Sequence, residues 1–105
     1  MEVLTDVISV NEKGVYRVQD GDTLDSLAVK YSTTKAILIF DNSLEKDIEK
    51  GDVLFIRTFK NVYEVSVLDT PFQVAKKLNT TVEKLYELNK IDYLCPYMRI
   101  IYEDF

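Results

Sequence analysis

The chain has 105 residues, 47% apolar and 30% charged, a folded composition with room for one ordinary domain or two very small ones. Its net charge of −5, with scattered basic residues, argues against nucleic acid as a partner, because phosphate binding draws on clustered Lys and Arg. The absence of histidine excludes Ser-His, Cys-His and histidine-metal chemistry, and a lone cysteine, Cys95, excludes an internal disulfide.

The start, Met1 to Asp6, has neither the basic region nor the apolar core of a secretory signal, so no export address is expected. No apolar run approaches the eighteen or so residues needed to cross a bilayer, so no membrane partner is expected either. Val3, Leu4, Val7, Ile8 and Val10 make residues 1–14 an amino-terminal arm or extra strand against the unit that follows, with a turn at Asn11 to Gly14.

From Val15 the pattern alternates, passes through Gly21-Asp22, and then changes to a helical period. Leu24, Leu27, Ala28 and Tyr31 share one helix face, with Asp22 or Thr23 as the cap. A second helix spans Thr34 to Asn42, capped by Thr33 or Thr34 and closed by Asn42 in the left-handed conformation. It carries more apolar residues than one buried face needs, so Ile37, Ile39 and Phe40 are candidates for meeting the amino-terminal arm, the second half of the chain, a protein partner or a second copy. Gly51-Asp52 then leads into a strand, Val53 to Ile56.

From Val62 the pattern repeats at an offset of 47. Tyr16, Val18, Asp22, Thr23, Ala28, Lys30, Thr34, Leu38 and Asn42 recur as Tyr63, Val65, Asp69, Thr70, Ala75, Lys77, Thr81, Leu85 and Asn89. Pro71 opens a helix, where no amide hydrogen is required, and Thr80 with Glu83 fits a capping box for the next. The last strand runs Met98 to Tyr102, after a one-residue deletion in the preceding loop. The division is 1–14, 15–57 and 62–105.

Tyr16-x-Val18-x-x-Gly21-Asp22-Thr23-Leu24-x-x-Leu27-Ala28-x-x-Tyr31, Leu38-x-x-x-Asn42-x-Leu44 and Ile48-x-x-Gly51-Asp52-x-Leu54-x-Ile56 together resemble the LysM module, a small glycan-binding domain. The resemblance implies an α+β fold of two βααβ units in tandem, each with two helices packed on a two-stranded antiparallel sheet. It also implies non-catalytic binding of N-acetylglucosamine-containing glycan, peptidoglycan or chitin, in a groove between the first strand-helix loop and the helix-strand loop. By position the first groove uses Gly21, Asp22, Thr23 and Leu24 with Asn42, Ser43, Leu44 and Ile48. The second uses Asp69, Thr70, Pro71 and Phe72 with Ile91, Asp92 and Tyr93, and either Phe72 and Tyr93 stack on a sugar or they are buried between units. Two-module chains without a signal resemble bacterial proteins of the cell wall or the forming spore.

The second copy departs from the family pattern. Leu68, Pro71, Phe72 and Tyr97 stand where the first has Gly21, Leu24, Asp25 and Gly51, so both turns are expected to be rebuilt and the second groove weakened. A rival reading follows, in which the fold serves protein assembly and its grooves are degenerate. An acid-base pair such as Asp22 and Asp25 lacks the dry pocket that would raise one pKa, so no catalysis is expected. Asp20-Gly21-Asp22 lacks the later ligands of a calcium loop, so no metal is expected, and no cofactor.

Overall fold

The computed structural model describes residues 14–103, so the expected arm, apart from Gly14, lies outside the described residues. The chain divides into two compact units between Thr58 and Phe59. The first contains β1 (Val15–Arg17), α1 (Leu24–Lys30), α2 (Lys35–Asp41) and β2 (Val53–Phe55). The second contains β3 (Val62–Glu64), α3 (Pro71–Lys77), α4 (Val82–Asn89) and β4 (Arg99–Ile101). This is the expected pair of βααβ units. Each sheet is a two-stranded antiparallel pair, with Tyr16 opposite Leu54 in one and Tyr63 opposite Ile100 in the other.

A two-stranded ribbon is marginal alone, so each sheet depends on the helices that cover it. In unit 1, Tyr16 and Leu54 point inward and join Val18, Leu24, Leu27, Ala28, Tyr31, Leu38 and Ile56 in one core. The spacing of Leu24, Leu27, Ala28 and Tyr31 puts them on the face of α1 that turns to the sheet. In unit 2 the core holds Val65, Val74, Ala75, Leu85 and Ile100, with partly buried Tyr63, Leu78, Ile91 and Leu94 around it. Each fully buried aliphatic side chain is worth about 1.5–3 kcal/mol, so units this small rest on a handful of such residues.

Every helix among the described residues is capped at its start by a threonine. The hydroxyls of Thr23, Thr34, Thr70 and Thr81 accept from the amides of Ser26, Ile37, Gln73 and Lys84. Thr81, rather than Thr80, therefore caps α4, and its N3 residue is Lys84, so the expected Thr80-Glu83 box does not form. The reciprocal box lies in α1 instead, where the Ser26 hydroxyl accepts from the Thr23 amide at 3.0 Å.

The helices end alike as well, each followed by a non-glycine residue at positive φ: Ser32, Ser43, Asn79 and Lys90. After α2 the Ser43 amide donates to Phe40 and the Leu44 amide to Ile39, the paired bonds of a Schellman motif. Asn42 itself has φ −108°, so the left-handed residue is its neighbour and the expectation for Asn42 is corrected. Its side chain has a different task. Asn42 Nδ2 donates to Leu38 O and Phe55 O at 2.9 and 2.8 Å, and Oδ1 accepts from the Phe55 amide at 2.7 Å. Asn89 repeats this with Leu85 and Ile101. A side-chain amide thus acts as a short extra strand, fastening the end of α2 or α4 to β2 or β4.

The apolar surplus of α2 also divides. Ile37 is fully buried, while Ile39 and Phe40 are exposed.

Candidate functional site

The loop entering α1 is shaped by Gly21 and Asp22. The Asp22 amide donates to Gln19 O at 3.2 Å, and Gly21 has φ +87°, the value the third residue of a type II turn requires. Asp22 is not the cap. Its carboxylate accepts from the Tyr16 hydroxyl and, at 2.8 Å, from the Gln19 amide, so it ties the loop back to β1. Leu24 is buried in the core, and the Thr23 hydroxyl is committed to its cap. Of the four residues expected on this side, Gly21 is the exposed one with no main-chain bond among the described residues, and a Cβ placed on it would meet nothing within 4 Å.

The loop from α2 to β2 borders an open cleft of about 410 Å³, lined by Ser43, Leu44, Glu45, Lys46, Asp47 and Asp52 and by none of the four first-loop residues. Ser43 and Leu44 were legible from the sequence, whereas Glu45, Lys46, Asp47 and Asp52 were not. The Schellman turn places Ser43, and Leu44 and Ile48 pack against the core from either end of the loop. Between them, no hydrogen bond among the described residues engages the main chain of Glu45 or Lys46. The cleft therefore offers open amides and carbonyls beside a small apolar floor. Asn42 stands behind it with its carboxamide fully engaged.

Unit 2 holds the same loops with different surfaces. The Tyr63 hydroxyl donates to Asp69 at 2.5 Å and the Ser66 amide does so at 2.8 Å, matching Tyr16, Asp22 and Gln19. Lys77 adds bonds to the Tyr63 hydroxyl at 2.8 Å and to Asp69 at 3.3 Å. The Tyr63 hydroxyl first, then the Ser66 amide and Lys77, hold the Asp69 carboxyl below the usual carboxylate range. The Tyr63 hydroxyl and Asp69 push Lys77 up. Lys30, the counterpart of Lys77, lies over the rings of Tyr16 and Tyr31, at 6.0 and 5.3 Å from their centroids.

The two turns of unit 2 respond differently to losing glycine. Leu68 avoids positive φ, so its turn is rebuilt as expected, with the Asp69 amide still donating to Ser66 O at 3.0 Å. Tyr97 keeps the backbone of Gly51, contrary to expectation. Its φ is +69°, and its amide donates to Val65 O at 2.7 Å as Gly51 donates to Val18 O at 2.9 Å. Pro96 helps here, because its ring fixes the φ wanted just before the left-handed position.

Of the expected second-groove residues, Thr70 caps α3, Pro71 opens it, Ile91 packs against the core and Asp92 is exposed. Phe72 and Tyr93 are exposed. Val67, Leu68 and Tyr97, not expected as site residues, are exposed as well, with Leu68 at 84% and Tyr97 at 70%. The signal for Leu68 and Tyr97 was the substitution of the glycines. Among the described residues, no group of three or more His, Cys, Asp or Glu is placed to hold a metal ion, and no helix is long and apolar enough to cross a membrane.

Comparison with known proteins gives two kinds of match. Among solved structures, the spore cortex-lytic enzyme SleL of Bacillus megaterium QM B1551 is 25% identical with a TM-score of 0.43, over 84% of this chain and 22% of that one. SleL of Bacillus cereus is 24% identical with a TM-score of 0.40, over 85% of this chain and 22% of that one. The chain thus spans about a fifth of the length of either enzyme. No curated protein matches it. The LysM domain family model matches residues 16–57 and 63–93, one stretch in each unit. With two such matches on two βααβ units, the chain belongs to the LysM family of non-catalytic, glycan-binding modules, as a tandem pair.

Proposed function

We propose that the chain binds N-acetylglucosamine-containing glycan, the peptidoglycan of a bacterial cell wall or spore wall, through unit 1. The observation that carries this is the exposed stretch Ser43 to Asp47, with open main chain at Glu45 and Lys46 beside Leu44 and Ile48. An N-acetyl group presents one amide donor, one acceptor and a methyl, and that surface can satisfy all three. Gly21, Ser43 and Leu44 are the contact residues, joined by Glu45, Lys46 and Asp47. Asp22, Thr23, Leu24, Asn42 and Ile48 hold the two loops in place. A weak single site gains from a second on the same polymer, and the loop of Asp69, Thr70, Pro71 and Phe72 with Ile91, Asp92 and Tyr93 is the candidate in unit 2.

Titration of the labelled chain with N-acetylglucosamine oligomers tests this directly. Amide shifts confined to residues 20–24 and 42–48 support it, and an unmoved spectrum removes it. Capture on insoluble peptidoglycan compared with chitin then distinguishes the two polymers.

A second reading is favoured by one observation, the exposed apolar residues Val67, Leu68, Tyr93 and Tyr97 on the loops of unit 2 and Phe72 in the first turn of α3. In it unit 2 serves protein assembly, with Ile39 and Phe40 of unit 1 as further contacts. Conversion of an oligomer to a monomer by Phe40→Asp or Tyr97→Asp, with no response to glycan, would establish that reading.

A further inference from the structure

The cleft of unit 1 is acidic. Three carboxylates line it, those of Glu45, Asp47 and Asp52, against one ammonium, that of Lys46. The carboxylates of Asp47 and Asp52 are held in place by the amides of Ile48 and Glu49, at 2.8 and 2.9 Å. The Lys46 ammonium lies 3.8 Å from Glu49, a fourth carboxylate on the same loop, and Lys50 is drawn to Asp20 at 3.3 Å. Lys46 thus offsets one of the three lining carboxylates, and Lys50 is not among the lining residues. The corresponding loop of unit 2 has Asp92, Tyr93 and Met98 in place of this set, so the acidity belongs to one unit and not to the fold.

Taking that cleft as the glycan groove, as proposed above, we infer that it selects strands in which some acetamido groups have been bared to free amines, and disfavours sugars that carry a free carboxylate. An acetamido group would use the open amides of Glu45 and Lys46, while an ammonium on a neighbouring sugar would face Glu45, Asp47 and Asp52. A lactyl or uronic carboxylate at that position would be repelled. In water, a net charge of about −2 acting on one ligand charge several ångströms away changes affinity by roughly three- to tenfold at low salt, and by less once salt shortens the screening length.

The test uses the whole chain and three probes at low salt and mildly acid pH: the N-acetylglucosamine tetramer, the same tetramer with one free amine, and an oligomer containing N-acetylmuramic acid with its carboxylate free. The expected order of affinity is amine-bearing, then fully acetylated, then carboxylate-bearing, each step about threefold or more. The order should collapse to within about twofold in 0.5 M salt, and in the double variant Glu45→Gln with Asp47→Asn. Raising the pH until the sugar amine loses its proton should erase the first step alone. Equal binding of the three probes at low salt overturns the charge inference and leaves the glycan reading standing. If none binds, both fall together.

Discussion

Units 1 and 2 share a skeleton and differ on the surface it supports. The hydrogen bonds that recur are internal: Tyr16 to Asp22 and Tyr63 to Asp69, the four threonine caps, and Asn42 and Asn89 across to the last strand of each unit. What changes lies on the loops and in the first turns of α1 and α3. Asp20, Gly21, Asp25 and Gly51 of unit 1 correspond to Val67, Leu68, Phe72 and Tyr97 of unit 2, and the acidic loop of the cleft is one residue shorter there. The scaffold has thus been held while the rim changed from polar and acidic to apolar.

The largest effect that would sharpen this comparison is at the asparagines. Asn89 is buried, so Asn89→Ala leaves the Ile101 amide and the Leu85 and Ile101 carbonyls without it, and should cost about 3 kcal/mol in denaturant unfolding. Asn42→Ala, at a partly exposed position, should cost less, about 2 kcal/mol. Negligible losses would break the claim that both residues fasten helix to strand, and equal losses the claim that burial sets their order.

Smaller and matched effects are expected at the caps. Thr23→Ala and Thr70→Ala should each cost about 1 kcal/mol, because each removes one hydroxyl bond to an amide of the first turn. The turn before the last strand should respond with opposite signs in the two units. Gly51→Ala forces a side chain to φ +95° and should cost about 1 kcal/mol, although nothing lies within 4 Å of the new Cβ. Tyr97→Gly releases that strain and should stabilise unit 2 by about 0.5 kcal/mol, since the freedom glycine has in the unfolded chain offsets part of the gain.

The smallest effect is a pH dependence in unit 2. Because the Asp69 carboxyl is held below its ordinary value, its contribution is present above the ordinary carboxylate range and is lost as pH falls through its lowered value. Lys77 is raised, so its contribution persists through neutral pH and is lost only when pH rises through its raised value. Acid unfolding compared between the parent and Asp69→Asn should show a flatter acid limb in the variant.

The sequence was most legible where chemistry repeats. The offset of 47 picks out the recurring Tyr, Asp, Thr and Asn positions, and the apolar period of Leu24, Leu27, Ala28 and Tyr31 announces the buried face of α1. Choices that depended on one backbone angle went astray. Thr80 and Thr81 are adjacent equivalents, and the left-handed residue fell one place beyond Asn42, at Ser43. The candidate site was legible in part for a related reason. Recurring residues such as Asp22, Thr23 and Asn42 recur because they hold loops in place, and their polar groups are consumed in doing so. Glu45, Lys46, Asp47 and Asp52 line the cleft yet follow no period and do not recur as a set in unit 2. The trace they left in the sequence was the deletion in the matching loop.

The central claim is that an open stretch of main chain in unit 1, held by internal bonds, receives acetamido sugars. Amide-resolved titration of the whole chain with an N-acetylglucosamine tetramer tests it most directly. The account predicts saturable shifts at Gly21 and from Ser43 to Asp47, larger than any in unit 2. Shifts confined to the loops of Leu68 and Tyr97, or none anywhere, would contradict it.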